Sequence, residues 1–326
     1  MKILVCGVGS MGWNHARVCS ELGVLGGICD LDHKQSDSVA GHFSVNGFSD
    51  FENAIQSSLF DAAIIATPTT THYEITKNAL ESGLHVLVEK PIVDDLHKGE
   101  ELISIAKERN LTLTVGHIER HNPVIKRAKL HLDKGDWGEL ITMNSRRVST
   151  FSGRITDVGA ILDTGIHDID NLIYLMGAKP TQVFASGGSF NNLDHEDHAN
   201  IVINFSNGKS GVIEVNWITP MKVRNLSLTC ENCFVELDYI KQQLFVSRSS
   251  VAKINTPRLF PAPIEFKSTK INLNKQEPLR LEIEDFIDSI QSGRNPLVSA
   301  EDALISIKVA IACVESLRSG NVVNLQ

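Results

Sequence analysis

The sequence predicts an α/β protein: a doubly wound parallel sheet first, then a second, strand-rich region. Three observations predict this. From Lys2 to about Val115, short apolar runs alternate with helical stretches, the pattern of a sheet covered by helices on both faces. The glycines of GVGSMG fall between the first such run and the first helix. Beyond about residue 120 the helices thin out, and six β-rich runs follow one another.

In order along the chain, KILVCGV opens as a nearly continuous apolar strand, as expected where both faces are covered. MGWNHARVCSEL has helical spacing, and GGICD is the second strand, ending at Asp30. AAIIATP, HVLVEKP and LTLTVGH are further strands, separated by the helical stretches THYEITKNALESG and DDLHKGEELISIAKERN. A helix is predicted at 122–134, a strand at 139–149, and then a helix holding ILDTGIHDID, residues 161–170. The strands PTQVFASGGSF, HANIVINFSNG, KSGVIEVNWIT, RNLSLTCEN, CFVELDYI and QLFVSR follow, with Asn207-Gly208 as a hairpin turn. Alternation in 212–217 implies a sheet with two different faces. Residues 252–277 lack periodicity and carry three prolines, so a long loop is expected, and two amphipathic helices at 278–291 and 300–318 close the chain.

At roughly 150 residues per domain, this length implies two domains. The change of character places them at 1–120 and 121–326. Hydrophobic content of 42% and charged content of 21% are ordinary for a soluble protein. A net charge of −8 argues against a general nucleic-acid binder, which needs clustered cations, and no apolar run is long enough to span a bilayer. The six cysteines have no secretory signal before them and read as reduced thiols of a cytoplasmic protein. Cys230 and Cys233 form a lone CxxC with no further ligand pair nearby, so a structural thiol pair is expected and no metal.

Four motifs carry chemistry. Gly7-x-Gly9-x-x-Gly12 follows a strand and opens a helix, the context of a dinucleotide fingerprint. Gly7 permits the turn, Gly9 admits the pyrophosphate, and Gly12 lets helix and strand pack, with Ser10 and Met11 in the same loop. Asp30 would accept bonds from the ribose hydroxyls and repel a 2′-phosphate, favouring NAD over NADP. In ATPTTTHYE, Thr67 and Pro68 stand where a strand ends and could line the cofactor; His72 either faces it or caps a helix. In VEKP, Glu89 and Lys90 end another strand at that edge, and proline holds Lys90 out of the helical region. A lysine there polarises a hydroxyl or acts as an acid–base group, unless it is an exposed salt-bridging lysine. In ILDTGIHDID, a helix puts Asp163, His167 and Asp170 on one face. That face suits proton transfer from an alcohol, with His167 taking the proton and an aspartate orienting its ring. The alternative is a buried polar network that fixes packing.

Together with VGHIERHNP, EPLRLEIEDFIDSI and NPLVSAEDAL, these motifs span nearly the whole chain and resemble the Gfo/Idh/MocA oxidoreductase family. The resemblance implies an N-terminal Rossmann domain and a C-terminal α/β domain on a large, mostly antiparallel sheet. It implies NAD(P)-linked chemistry on sugar or cyclitol hydroxyls, with Lys90, Asp163 and His167 at the catalytic positions and Asp170 in support. VGHIERHNP and RITDVGAILDTGIHDID look like the branch acting on UDP-N-acetylglucosamine, which usually has Phe where this chain has His121. A diphosphate needs cations. Arg120, Arg146, Arg147 and Arg154 are the candidates, Arg154 first because it stands closest to the motif. A free sugar or inositol dehydrogenase, an NAD-dependent glycosidase and a non-catalytic NAD-binding regulator are the other readings. A homodimer or homotetramer is expected, because the open face of a large sheet needs covering.

Overall fold

The computed structural model describes residues 1–57, 59–151, 158–191, 194–249 and 266–325. The first sheet comprises β1 (Ile3–Cys6), β2 (Leu25–Cys29), β3 (Asn46–Phe48), β4 (Ala62–Ile65), β5 (His85–Val88) and β6 (Leu113–Val115). Its order is β3-β2-β1-β4-β5-β6, all parallel. Residues of β1 and β4 bury alternately into two core clusters, one on each face, which explains the unbroken apolar runs. The strand order reverses between β1 and β4, so a crevice opens beyond their C-terminal ends, after Cys6 and Ile65.

The intervening helices are α1 (Ser10–Glu21), α2 (His33–Phe43), α3 (Phe51–Gln56), α4 (Thr69–Glu81) and α5 (Leu96–Glu108). β3, α2 and α3 go beyond the pattern read from sequence. α2 buries only Ser36, Val39 and Ala40, so its apolar stripe is faint; the Asp32 carboxylate fixes its start by accepting from the Lys34 and Gln35 amides.

After a 3₁₀ turn at Ile118–His121 come α6 (Pro123–Asp133), β7 (Leu140–Thr150) and a π turn at Ile161–Gly165 that runs into α7 (Ile166–Met176). β8 (Pro180–Gly188), β9 (His198–Phe205), β10 (Ser210–Asn216), β11 (Ile218–Cys230), β12 (Phe234–Asp238), β13 (Gln243–Ser249) and β14 (Phe266–Ile271) follow. α8 (Pro278–Ser292), α9 (Ala300–Ser319) and β15 (Val323–Asn324) end the chain. Among the described residues the second sheet runs β14-β13-β12-β11-β7-β10-β9-β8-β15, antiparallel except where β10 lies parallel to β7. β14 corrects the expected loop at 252–277: residues 266–271 pair with β13, although β14 is almost wholly exposed and so shows no burial pattern.

Two compact units result, 1–121 with 277–308 and 122–276 with 309–326. The sequence pattern assigns everything after residue 120 to the second; instead α8 and the first part of α9 belong to the first. Leu279, Ile283 and Phe286 of α8 share a core cluster with Ile3, Val5 and Ile28, and their stripe is strong but says nothing about which sheet it covers. All six cysteines are free and buried, and Cys230 N–H donates to the Cys233 carbonyl across the β11–β12 turn. No described helix is long and apolar enough to cross a membrane.

Candidate active site

The glycine loop is shaped by what it cannot hold. Gly7 has φ of 78°, and a Cβ there would lie 2.8 Å from the Ala66 carbonyl oxygen and the Thr67 nitrogen. A Cβ on Gly12 would sit 1.7 Å from the Gly7 carbonyl oxygen. At Gly9 the same atom would meet nothing within 4 Å. Gly9 begins α1 without a side-chain cap, and the first turn holds no acid. The amides of that turn therefore offer donors and the positive end of the helix to an open space. Such a cradle fits a pyrophosphate. Gly9, Ser10 and Met11 are exposed there while Gly12 is buried. The Asp30 carboxylate ties β2 to this loop, accepting from Val8 N at 2.8 Å and Asp32 N at 2.9 Å.

Beside β4, β5 delivers Glu89 and Lys90. The half-buried Glu89 carboxylate bonds to His15 Nε2 of α1 at 2.8 Å and accepts from the Lys90 amide at 3.2 Å. A Cβ on Gly116 would come within 2.9 Å of that carboxylate, so glycine makes room for it. Burial pushes the Glu89 acid upward, but the His15 bond and the charges of His15 and Lys90 outweigh burial and hold it below its usual value. Lys90 is half-buried, and the Lys90–Pro91 peptide is cis.

Two sequence candidates here, His72 and Arg120, have other work. His72 is buried, with Nδ1 2.8 Å from the Pro91 carbonyl oxygen and Nε2 2.9 Å from that of Thr67. It braces the β4 turn against the segment after Lys90 rather than facing a cofactor. Thr67 Oγ1 accepts from Thr71 Oγ1 at 2.8 Å, while Pro68 begins α4. Arg120, only 2% exposed, pairs with Asp302 at 2.7 Å and is no longer a candidate for substrate phosphate.

In the second unit, ILDTGIHDID is not one α-helix. Ile161–Gly165 forms a π turn, so the expected four-residue spacing of Asp163 and His167 does not start on a regular α-helical face. Glu196 anchors that turn: its carbonyl accepts from Ala160 N at 2.9 Å, and its Oε1 accepts from Ile161 N at 3.0 Å. Asp163 and His167 are half-buried, whereas Asp168 and Asp170 are buried. Asp168 is the polar anchor the sequence reading passed over. It accepts from Arg147 Nε and from Ser145 Oγ, and the Arg147 guanidinium lies 5.5 Å from the Tyr239 ring centre. Asn171 in turn donates to Tyr239 Oη at 3.2 Å. The signal was present: Met143, Ser145 and Arg147 are alternate residues of β7, so Arg147 points inward where Arg146 points outward. Arg146 pairs with Glu214 at 2.8 Å. Arg154 lies outside the described residues. Among the described residues, no group of three or more His, Cys, Asp or Glu is placed to hold a metal ion.

Sequence models of known families cover these units. Residues 1–117 match an oxidoreductase family with an NAD-binding Rossmann fold, 125–235 the GFO/IDH/MocA C-terminal domain, and 240–325 that family's C-terminal alpha/beta domain. The chain belongs to the Gfo/Idh/MocA oxidoreductase family. Within it, the chain is 28% identical over 294 residues to the UDP-N-acetylglucosamine 3-dehydrogenase of Acidithiobacillus ferrooxidans, covering 90% of both. A solved structure of a UDP-N-acetylglucosamine 3-dehydrogenase from that organism matches with a TM-score of 0.88 at 26% identity, covering 98% of each chain. The scyllo-inositol 2-dehydrogenase (NAD(+)) of Bacillus subtilis is 27% identical over 348 residues, covering 100% of this chain and 96% of that protein. The Rossmann unit and the mostly antiparallel second sheet are the architecture the family resemblance implies.

Proposed function

We propose that this protein is a cytoplasmic NAD-dependent dehydrogenase acting on a sugar CH–OH group, with C3 of a UDP-N-acetylhexosamine as the reacting carbon. The observation that carries the cofactor half is the open space at Gly9 against the uncapped start of α1. Gly7, Gly9, Ser10, Met11 and Gly12 would hold the pyrophosphate. Asp30 keeps lone pairs free for ribose hydroxyls and would repel a 2′-phosphate, so NAD is favoured over NADP. Thr67 and Pro68, at the same strand edge, would line the cofactor. The substrate half is supported by the likeness, over nine-tenths of both chains, to a UDP-N-acetylglucosamine 3-dehydrogenase.

When bound, the nicotinamide supplies the hydride acceptor. The chain's own residues manage the hydroxyl proton. Lys90 or His167 removes it, and the other steadies the oxygen as negative charge develops. Asp163 orients the imidazole, and Asp170 supports the helix from its buried side.

A free sugar or inositol is the second reading, and a specific observation favours it. Arg120 and Arg147 are spent on Asp302 and Asp168, and Arg146 pairs with Glu214. That leaves Arg154 as the remaining diphosphate candidate of the original four. The deciding experiment follows nicotinamide absorbance while the protein is incubated with NAD⁺, or NADP⁺ in parallel, and either UDP-N-acetylglucosamine or myo-inositol. Reduction with the UDP-sugar alone upholds the first reading, and reduction with inositol alone replaces it with the second. No reduction with either overturns both named substrates.

A further inference from the structure

Val8, in the middle of the glycine loop, is held at three points. Its side chain is 2% exposed and shares a core cluster with Val39 and Ala40 of α2. Its N–H donates to Asp30 Oδ2 at 2.8 Å, and its carbonyl accepts from Gln35 Nε2 at 2.7 Å. These two bonds grip two successive peptide groups, Gly7–Val8 and Val8–Gly9, both of them trans. In a planar trans peptide the N–H and the C=O point to opposite sides. By holding the Val8 N–H, Asp30 therefore directs the Gly7 carbonyl, the group against which Gly12 packs. By holding the Val8 carbonyl, Gln35 directs the Gly9 N–H and turns it away from α2. Gly9 needs such a hold: no Cβ restricts its backbone, and nothing lies within 4 Å of where that atom would be. Gln35 is itself fixed. It is half-buried in the first turn of α2, and its own N–H donates at 3.3 Å to the Asp32 carboxylate that caps the helix. A carbonyl only accepts, so the amide nitrogen of Gln35 is the atom that faces Val8.

We propose that Gln35 is a positioning residue for the dinucleotide cradle: by anchoring the Val8 carbonyl it aims the Gly9 N–H at the pyrophosphate, without touching the cofactor itself. This rests on the cofactor reading given above. Asp30 and Gln35 divide the work, Asp30 setting the first peptide of the loop and Gln35 the second. A loop ordered before the cofactor arrives loses less entropy on binding. Removing the Gln35 donor therefore bears on the phosphates and leaves the adenosine end alone. A residue that merely supported the fold of α2 would bear on both.

The test compares NAD⁺, ADP and adenosine as ligands of the intact protein, the first two by calorimetric titration and adenosine by ligand-observed NMR. Gln35→Met keeps the length of the side chain and removes the donor. The loss of one hydrogen bond corresponds to NAD⁺ and ADP binding about three- to tenfold more weakly. Adenosine, which carries no phosphate, should bind the variant as it binds the wild type. Should Gln35→Met fold poorly, Gln35→Ala must show the same split between ADP and adenosine. Equal NAD⁺ affinity in variant and wild type overturns the proposal and leaves the cofactor reading standing. A variant in which adenosine weakens as much as ADP also overturns it, because that is the mark of a disturbed α2 and not of a misdirected amide. A wild-type protein that binds neither NAD⁺ nor ADP removes the cofactor reading, and the proposal with it.

Discussion

Gly9 and Gly12 stand three residues apart in one loop, yet an added methyl meets opposite fates. At Gly12 it collides with the Gly7 carbonyl, so Gly12→Ala is expected to destabilise the fold by about 2 kcal/mol or more. At Gly9 it enters empty space, so Gly9→Ala should unfold within a few degrees of wild type while binding NAD⁺ at least about tenfold more weakly. Thermal unfolding and NAD⁺ titration separate the two. Lys90→Met and His167→Ala should each leave NAD⁺ binding largely intact and lower turnover by about 10²- to 10⁴-fold; wild-type turnover in either removes that residue from the acid–base step. The glycines and Lys90 were legible because each follows an apolar strand in sequence. His15 was not, although Gly12, His15, Ala16 and Cys19 share one buried stripe of α1. A polar residue on an apolar stripe shows that it is buried, but only the fold shows that His15 meets Glu89.

The elements around these residues show where pattern reading succeeds and where it stops. Strands buried on both faces announce themselves as unbroken apolar runs, as β1 and β4 do. β14, with five of its six residues exposed, is defined by backbone pairing to β13 and has no such signature. The π turn ahead of α7 was equally hidden, because Glu196 anchors it from far along the chain. α7 depends on a second remote contact. Removing Asp168 would take away the carboxylate to which the buried Arg147 guanidinium donates, so Asp168→Ala should cost about 3–5 kcal/mol, measured by urea unfolding. Replacing the pair together with apolar residues should recover much of that loss. His72 holds the start of α4 to Pro91 and adds a pH dependence. Burial depresses its folded pKa, although two carbonyl contacts oppose this. The stability it contributes is therefore complete above its unfolded value, about 6.5, and is lost as pH falls toward the lower folded value. His72→Gln should lose less stability than wild type between pH 7 and pH 5 in paired urea titrations.

For the whole molecule, the second sheet leaves a face that alternation made legible. Val183, Ala185, Ile201, Ile203, Ile213 and Val215 turn into the core, while Phe184 and Asn200 on intervening positions stay exposed. Ile141 and Phe234, from β7 and β12, are exposed as well. Such a mixed face over several strands suits association with a second copy, and a dimer or tetramer is the expected species in size-exclusion chromatography with light scattering. A clean monomer at micromolar concentration would refute it.

The division of the chain into units bears on how the protein is made. The first unit takes residues 277–308 from near the other end of the sequence, and those residues place Leu279, Ile283, Phe286, Val298 and Ala303 in its cores. On a ribosome, β1 to β6 emerge first but stay incompletely covered until α8 and the start of α9 have followed. All of the second unit up to Gln276 is synthesised in that interval. The nascent Rossmann sheet thus waits with apolar surface open, a period in which chaperone capture or aggregation competes with folding. The part of the molecule translated first is, in this arrangement, among the last to be finished.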